Sequence, residues 1–336
     1  MPSISQQEAA PSVSLTTARS GPPRAPLLRI GVVSDIQYCD IDDRLSFVGK
    51  LRYYRNTLTQ ISKAKDAWNA EGVDLVVHCG DIIDGTNKFN ATSEQALAKV
   101  VDILDRIEAP VHHVLGNHCV LCMPRDRLRT MLKMGTESSE FGYYSVSPCA
   151  SWRILMLDSS DVAIHGRAAD HPHTLQAIEI LNARNPNEKK EDPTGLEGTQ
   201  RRFVSFGGGV GDGQLKWITS ELRESMAMGQ NVVICCHIPL IEGLYQPTCL
   251  AWNYQEVLAV LHEFPNVRLA MYGHTHNPSY LQDSKGIHHM VLPGLVETAP
   301  EQMAHGSLAL FEDRVEMSGF GEKPRVMFLP NVADVK

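Results

Sequence analysis

Short apolar runs recur along the chain, separated by stretches whose apolar residues return every three or four positions. The runs at 28–33, 73–79, 111–115, 154–158, 232–236, 267–272, 289–292 and 308–311 are rich in Val, Ile and Leu. Runs of that length and composition predict strands covered on both faces. The stretches at 44–70, 93–107, 213–227 and 254–263 predict helices. In "GQLKWITSELRESM", for example, Leu215, Ile218 and Leu222 recur at helical spacing. Alternating strands and helices predict an α/β layered fold, one domain over 27–336 with no internal repeat. One stretch breaks the alternation. From 161 to 200 the chain is polar and ends in "NPNEKKEDPTGLEGT". It is too long for an ordinary connection and predicts a surface insertion or lid.

Composition narrows the function. The 336 residues carry a net charge of −8, and no run of Lys and Arg stands out. That argues against a nucleic-acid surface, which is usually basic. No apolar run approaches the ~18–20 residues that span a bilayer. Eight cysteines in a long chain without a signal peptide predict free thiols in a reducing compartment, the cytoplasm. Cys119 and Cys122 form a lone C-x-x-C, expected to be small buried thiols rather than a metal or redox pair. Residues 1–26, rich in Ser, Thr, Pro, Gln and Ala, predict an unstructured tail. Their poverty in acids also admits an organellar transit peptide. "NAT" at Asn90 is a lone glycosylation sequon.

Five polar clusters follow predicted strands: "SDIQ" (34–37), "GDIID" (80–84), "GNH" (116–118), "CHIP" (236–239) and "GHTH" (273–276). In α/β sheets ligands collect beyond the carboxyl ends of strands, so clusters at that position meet in space. Singly each is weak. A lone aspartate after a strand serves as a turn or cap residue, "GNH" is an ordinary turn, and a lone His237 reads as a core histidine. Only "GHTH" has weight of its own, because residues two apart in an extended segment project to one side. Together the five predict a divalent-metal site.

This ordered set resembles the calcineurin-like metallophosphoesterase superfamily, whose pattern is D-x-[H/Q], GD-x-x-D, GNH, a histidine after a strand, and GH-x-H. Here it runs from Asp35 to His276. The resemblance implies a sandwich of two mixed β-sheets flanked by α-helices, with two metals at the sheet edges. It implies one metal on Asp35, Gln37, Asp81 and His276, and a second on Asp81, Asn117, His237 and His274, with Asp81 bridging. It also implies that Asp84 orients His118, which donates a proton or hydrogen bond to the phosphoryl or leaving oxygen. Two divalent cations and two carboxylates leave about +2 at such a site, a fit for a diphosphate in an acidic protein. Metals ~3.5–4 Å apart also hold a bridging hydroxide for in-line displacement. Gln37 stands where histidine is usual. Its amide oxygen is a hard, neutral donor that favours Mn²⁺ or Mg²⁺ over Zn²⁺; the alternative is that Gln37 faces away and water fills the position. Gly85 after "GDIID", Cys119 after "GNH" and the lack of a tyrosine ligand depart from the Ser/Thr protein phosphatase and purple acid phosphatase patterns.

The glutamine variant, followed by "RYYRNTL" (52–58), "DAWN" (66–69), "GGGVGDGQLKWI" (207–218) and "CLAWNY" (249–254), resembles the manganese-dependent ADP-ribose/CDP-alcohol diphosphatases. That resemblance implies hydrolysis of a nucleoside diphosphate linked to ribose or another alcohol. The products are a nucleoside monophosphate and a phosphorylated alcohol; Mn²⁺ is the expected ion, Mg²⁺ the alternative. Candidate substrate contacts are Arg52 and Arg55, one turn apart on the predicted 44–70 helix, and Gly208 in a cluster where backbone can approach a phosphate or base. Phe206, Cys249, Trp252 and Asn253 are candidates for a base pocket. The structural alternatives are a solvated helix face, a loop before a helix, and core aromatics, the last expected for Tyr53, Tyr54 and Trp68. Two other functions fit the same residues. One is a cyclic-nucleotide or general phosphodiesterase. The other is a catalytically silent scaffold, which predicts eroded ligands where every position here is filled. The expected partner is a small-molecule nucleotide diphosphate, without nucleic acid or membrane, and the expected state is a monomer.

Overall fold

The computed structural model describes residues 25–134 and 142–330. The expected tail at 1–26 therefore lies, through residue 24, outside the described residues. In chain order the strands are β1 (Leu28–Val33), β2 (Arg44–Leu45), β3 (Leu51–Arg52), β4 (Leu75–His78), β5 (Val111–His113), β6 (Tyr144–Cys149) and β7 (Trp152–Met156). They continue with β8 (Asn231–Cys235), β9 (Val267–Tyr272), β10 (Ser279–Gln282), β11 (His288–Val291), β12 (Gly306–Leu310), β13 (Arg314–Gly319) and β14 (Arg325–Phe328).

Two six-stranded sheets run β14-β13-β12-β1-β4-β5 and β10-β11-β9-β8-β7-β6. Both are mixed. β1 pairs with β4 in parallel and with β12 antiparallel, and β7 pairs with β8 in parallel and with β6 antiparallel. Leu28, Ile30 and Val32 alternate along β1 and pack in one cluster with Trp152, Ile154 and Met156 of β7. The outer face of the first sheet is covered by the helices Asn56–Glu71 and Ser93–Leu104, that of the second by Asp212–Ala227 and Tyr254–His262. The layers are helix, sheet, sheet, helix. Buried on both sides, the central strands require the continuous apolar runs seen in the sequence.

Three expectations change. Residues 44–52 are a hairpin, not the start of a helix. Ser46 and Gly49 close its turn, with Gly49 in the left-handed region at φ 80 and its N–H donating to Ser46 O at 2.9 Å. The exposed Phe47 and Val48 at the tip give this stretch a deceptively helical pattern. Next, β6, β10 and β14 are edge strands and β13 neighbours an edge. They are half-exposed, so they lack the apolar runs that betray central strands. Finally, the 161–200 stretch, for which the sequence predicts no strand or helix, carries a helix. Pro172 opens the helix Pro172–Arg184 at a position that needs no N–H. Ala177, Leu181 and Phe203 bury against Val162 and Trp252.

No helix among the described residues is long and apolar enough to cross a membrane. The C-x-x-C pair sits on the short helix Asn117–Cys122. Burial pushes the Cys119 thiol up to about 12 and Cys122 to about 11, so neither is a reactive thiolate.

Candidate metal centre

Each cluster sits just past a strand. Asp35 and Gln37 follow β1, Asp81 and Asp84 follow β4, and Asn117 and His118 follow β5 in the first sheet. His237 follows β8, and His274 and His276 follow β9, in the second. The two sheets thus contribute to one centre from opposite sides. The backbone there is strained. Asp35, Gln37, Asp81, His274 and His276 all have positive φ, between 43 and 66. Such angles are uncommon outside glycine and cost about 1–3 kcal/mol each. They turn the chain sharply past each strand end, so Asp35 with Gln37 and His274 with His276 meet from turns rather than from the extended segment expected for "GHTH". Gly116 lets this happen, since a Cβ there would lie 2.1 Å from Asp81 Oδ1.

The side chains form two touching sets. In the first, His276 Nε2 is 3.1 Å from Asp35 Oδ1, and Gln37 Nε2 is 3.1 Å from both Asp81 Oδ2 and His276 Nε2. In the second, Asn117 Oδ1 lies 3.1 Å from His237 Nε2 and 2.9 Å from His274 Nδ1. Asp81 joins them, its Oδ2 being 3.3 Å from His237 Nε2. Ligand atoms of Asp35, Asp81 and His237 all fall within 4.8 Å of one another.

The donor set fits divalent cations. Gln37 Oε1 and His274 Nε2 are buried without a hydrogen-bond partner, a costly arrangement unless they serve a ligand. The electrostatics agree. Burial opposes ionisation of Asp35, yet His276 beside it holds its carboxyl below the usual range. Asp81 is likewise buried and held low by His237 and His118. In return, carboxylates outweigh burial and draw His237 and His276 up to about 9, so a cation that binds there must displace their protons. Burial and His237 push His274 down to about 3, the neutral form that ligates. Two buried carboxylates, an amide oxygen and imidazoles suit Mn²⁺ or Mg²⁺ at the oxygen-rich set.

Residues 28–278 match the family of calcineurin-like phosphoesterases. The chain belongs to that family. It is 36% identical over 300 residues to the manganese-dependent ADP-ribose/CDP-alcohol diphosphatase of Arabidopsis thaliana, covering 88% of this chain and 95% of that protein. The protein of the same name from Oryza sativa subsp. japonica is 38% identical over 297 residues, with 88% and 92% covered. The crystal structure of a dimetal phosphatase from Danio rerio superposes with a TM-score of 0.87 at 32% identity, covering 91% of this chain and all of that one.

In this phosphoesterase a carboxylate outside the expected set supports the centre. Glu297 Oε1 accepts from His276 Nδ1 at 2.8 Å. The backbone places it, because Leu295 N donates to Ser34 O and Val296 N to Asp35 O. Arg52 then links two carboxylates, its Nε 3.2 Å from Glu297 Oε1 and its Nη1 3.4 Å from Asp84 Oδ2. Glu297 follows β11 as the other clusters follow their strands, and that position is the signal that could have found it. A carboxylate behind a ligating histidine fixes its tautomer and ring orientation. Glu297→Gln is therefore expected to weaken Mn²⁺ binding by about 10–100-fold, read by titrating metal-stripped protein; unchanged affinity would remove Glu297 from this role.

A cavity of about 630 Å³ opens over the centre. Gln37, Asp81, Asn117, His118, His274 and His276 line one side, with Phe47, Phe206, Tyr245 and Cys249 beyond them. Of the expected substrate contacts, Arg52, Phe206 and Cys249 reach this cavity. The others do not. Arg55 precedes the Asn56–Glu71 helix and pairs with Asp40 and Asp42 at 2.7 and 2.6 Å, in solvent. It shares no helix face with Arg52, which lies on β3. Trp252 is buried among Val162, Ala177, Leu181 and Phe203. Asn253 exchanges hydrogen bonds with Val210 backbone at 2.9 and 2.8 Å. Gly208 is needed for packing, since a Cβ there would lie 2.4 Å from Ser159 O. Tyr54 and Trp68 are core residues as expected. Phe47, Tyr245 and Glu191 were not singled out in the sequence, being carried by a hairpin tip and loops without periodicity.

Proposed function

We propose that this phosphoesterase hydrolyses the diphosphate linkage of ADP-ribose and CDP-alcohols with two divalent cations, Mn²⁺ preferred. The observation that carries this reading is one cavity that joins the ligand cluster to the aromatic surface of Phe47, Phe206 and Tyr245. At about 630 Å³ it has the size of a small-molecule site rather than a protein-docking cleft. The names of the plant relatives support the substrate class and the metal.

Asp35, Gln37, Asp81 and His276 would hold one cation, and Asp81, Asn117, His237 and His274 the other. Bound there, the cations would supply positive charge to the diphosphate and lower the pKa of a water. The chain's own groups do the rest. Gly85 N–H donates to His118 Nδ1 at 2.8 Å, so the neutral ring carries its proton on Nε2. That nitrogen is left to donate to a phosphoryl or departing oxygen in the cavity. Burial disfavours the imidazolium of His118, but Asp81 and then Asp84 outweigh it and raise its pKa. Asp84 Oδ2, 3.5 Å from Nδ1, is the counter-charge when the ring is cationic. Asp84 is itself held in place by Arg52 and by Thr86 N–H, which donates to its Oδ1 at 2.8 Å.

The test is turnover by metal-stripped protein reloaded with Mn²⁺, Mg²⁺ or Zn²⁺ and offered ADP-ribose, CDP-choline and cyclic AMP. AMP and CMP formation, strongest with Mn²⁺, is the expected result; cleavage of cyclic AMP alone would move the protein to the phosphodiesterases. Gln37→His in the same assay is expected to shift preference toward Zn²⁺, because imidazole replaces a hard oxygen donor. An unchanged metal profile would mean that Gln37 does not ligate.

A further inference from the structure

A second, smaller cavity of about 190 Å³ adjoins the first. The two share Asn117, Glu191 and Phe206, so a ligand that spans the centre can enter both. Its wall also carries Ser160, His165 and Ser205. Ser160 is fully buried in that wall. Its backbone is clamped, with N–H donating to Asp158 Oδ1 at 3.0 Å and its carbonyl accepting from Arg125. Its hydroxyl, fully buried, has no partner. With no accessible surface, that hydroxyl lies behind the wall, and the clamped Ser160 backbone fixes the cavity's shape. His165 is half-buried, and burial keeps its ring neutral, so it offers one donor and one acceptor. Ser205 adds a half-buried hydroxyl, and Glu191 a carboxylate that accepts from hydroxyl groups.

We propose that this side cavity is the subsite for the hydroxylated alcohol half of the substrate, a ribosyl 5-phosphate in the case of ADP-ribose. The inference rests on the diphosphatase reading above and deepens it. At about 190 Å³ against about 630 Å³ for the main cavity, the side cavity suits the smaller, sugar half of the substrate. The Ser205 hydroxyl, a neutral imidazole and one carboxylate match a polyol, which donates and accepts at each position. The larger cavity, with its aromatic wall, is left for the nucleoside. The shared residue Asn117 lies between them, where the scissile diphosphate must cross the metal centre.

The experiment is direct binding to Mn²⁺-loaded protein, by calorimetry, of ribose 5-phosphate and of inorganic phosphate. Phosphate reports the metal centre alone, and the difference reports the sugar subsite. Wild-type protein is expected to bind ribose 5-phosphate at least tenfold more tightly than phosphate. Ser205→Leu, which fills the rim, and His165→Ala, which removes the ring, are each expected to erase that difference and leave phosphate binding unchanged. Equal affinity of the two ligands in wild type overturns the proposal. So does a parallel loss of both in the variants. Because no turnover is required, failure of the diphosphatase assay with this binding pattern intact would sink the reaction and keep the subsite.

Discussion

Replacing Asp81 by asparagine is expected to remove metal and turnover together. The Asp81 side chain touches side chains of both donor sets. Its Oδ1 accepts His118 N–H at 2.8 Å, and its Oδ2 lies near Gln37 Nε2 and His237 Nε2 at 3.1 and 3.3 Å. Asparagine keeps the volume and one oxygen, so packing is nearly unchanged. What it removes is one of the two negative charges in the donor set, the charge with which Asp81 would hold two cations. Metal-derived charge stabilisation is worth several kcal/mol. At ~1.4 kcal/mol per tenfold, losing it lowers the rate by about 10³-fold or more. Metal content after gel filtration and initial rates with ADP-ribose are the measurements, with circular dichroism to confirm the fold. A variant that retains both metals and more than a tenth of the rate refutes the bridging role.

His118→Ala is expected to separate what Asp81→Asn joins. His118 lines the cavity beside the ligands, but its Nδ1 is occupied by Gly85 N–H and faces Asp84. It belongs to neither donor set. Its removal leaves the cation-holding atoms in place and takes away the proton donor, a loss of about 10²–10⁴-fold in kcat. Metal content should match wild type, and so should binding of inorganic phosphate. Full activity would show that another group, or solvent, protonates the departing oxygen. Loss of metal alongside activity would instead make His118 part of the centre's support.

The centre was legible because its signal is one-dimensional. Asp35, Asp81, Asn117, His237 and His274 each stand a few residues past an apolar run, and a strand's end is the same place in every α/β layer. The substrate side was legible only in part. Phe206 and Cys249 reach the cavity, but Trp252 and Asn253, only a few residues beyond Cys249, turn away into packing and backbone support. Adjacent residues in irregular chain have no period to say which points inward. Arg52 and Arg55 fared similarly. A helical reading put them on one face, whereas the Gly49 turn makes a hairpin that sends Arg52 to Glu297 and Asp84 and leaves Arg55 with surface aspartates.

The sequence by itself determined the alternation of central strands and helices and the polar clusters at the strand ends that supply the candidate ligands. Both follow from local rules: apolar burial sets a strand's composition, and metal chemistry restricts its donors to a few residue types. The tertiary structure decided how two sheets close over one another. It also decided which carboxylate, Glu297, stands behind His276, and which of two neighbouring cavities lies beside Ser160. Those depend on contacts between segments hundreds of residues apart, such as His276 with Asp35 and Arg52 with Glu297. No local pattern encodes such contacts, because long-range packing selects partners by shape and unsatisfied polarity only once the layers have met.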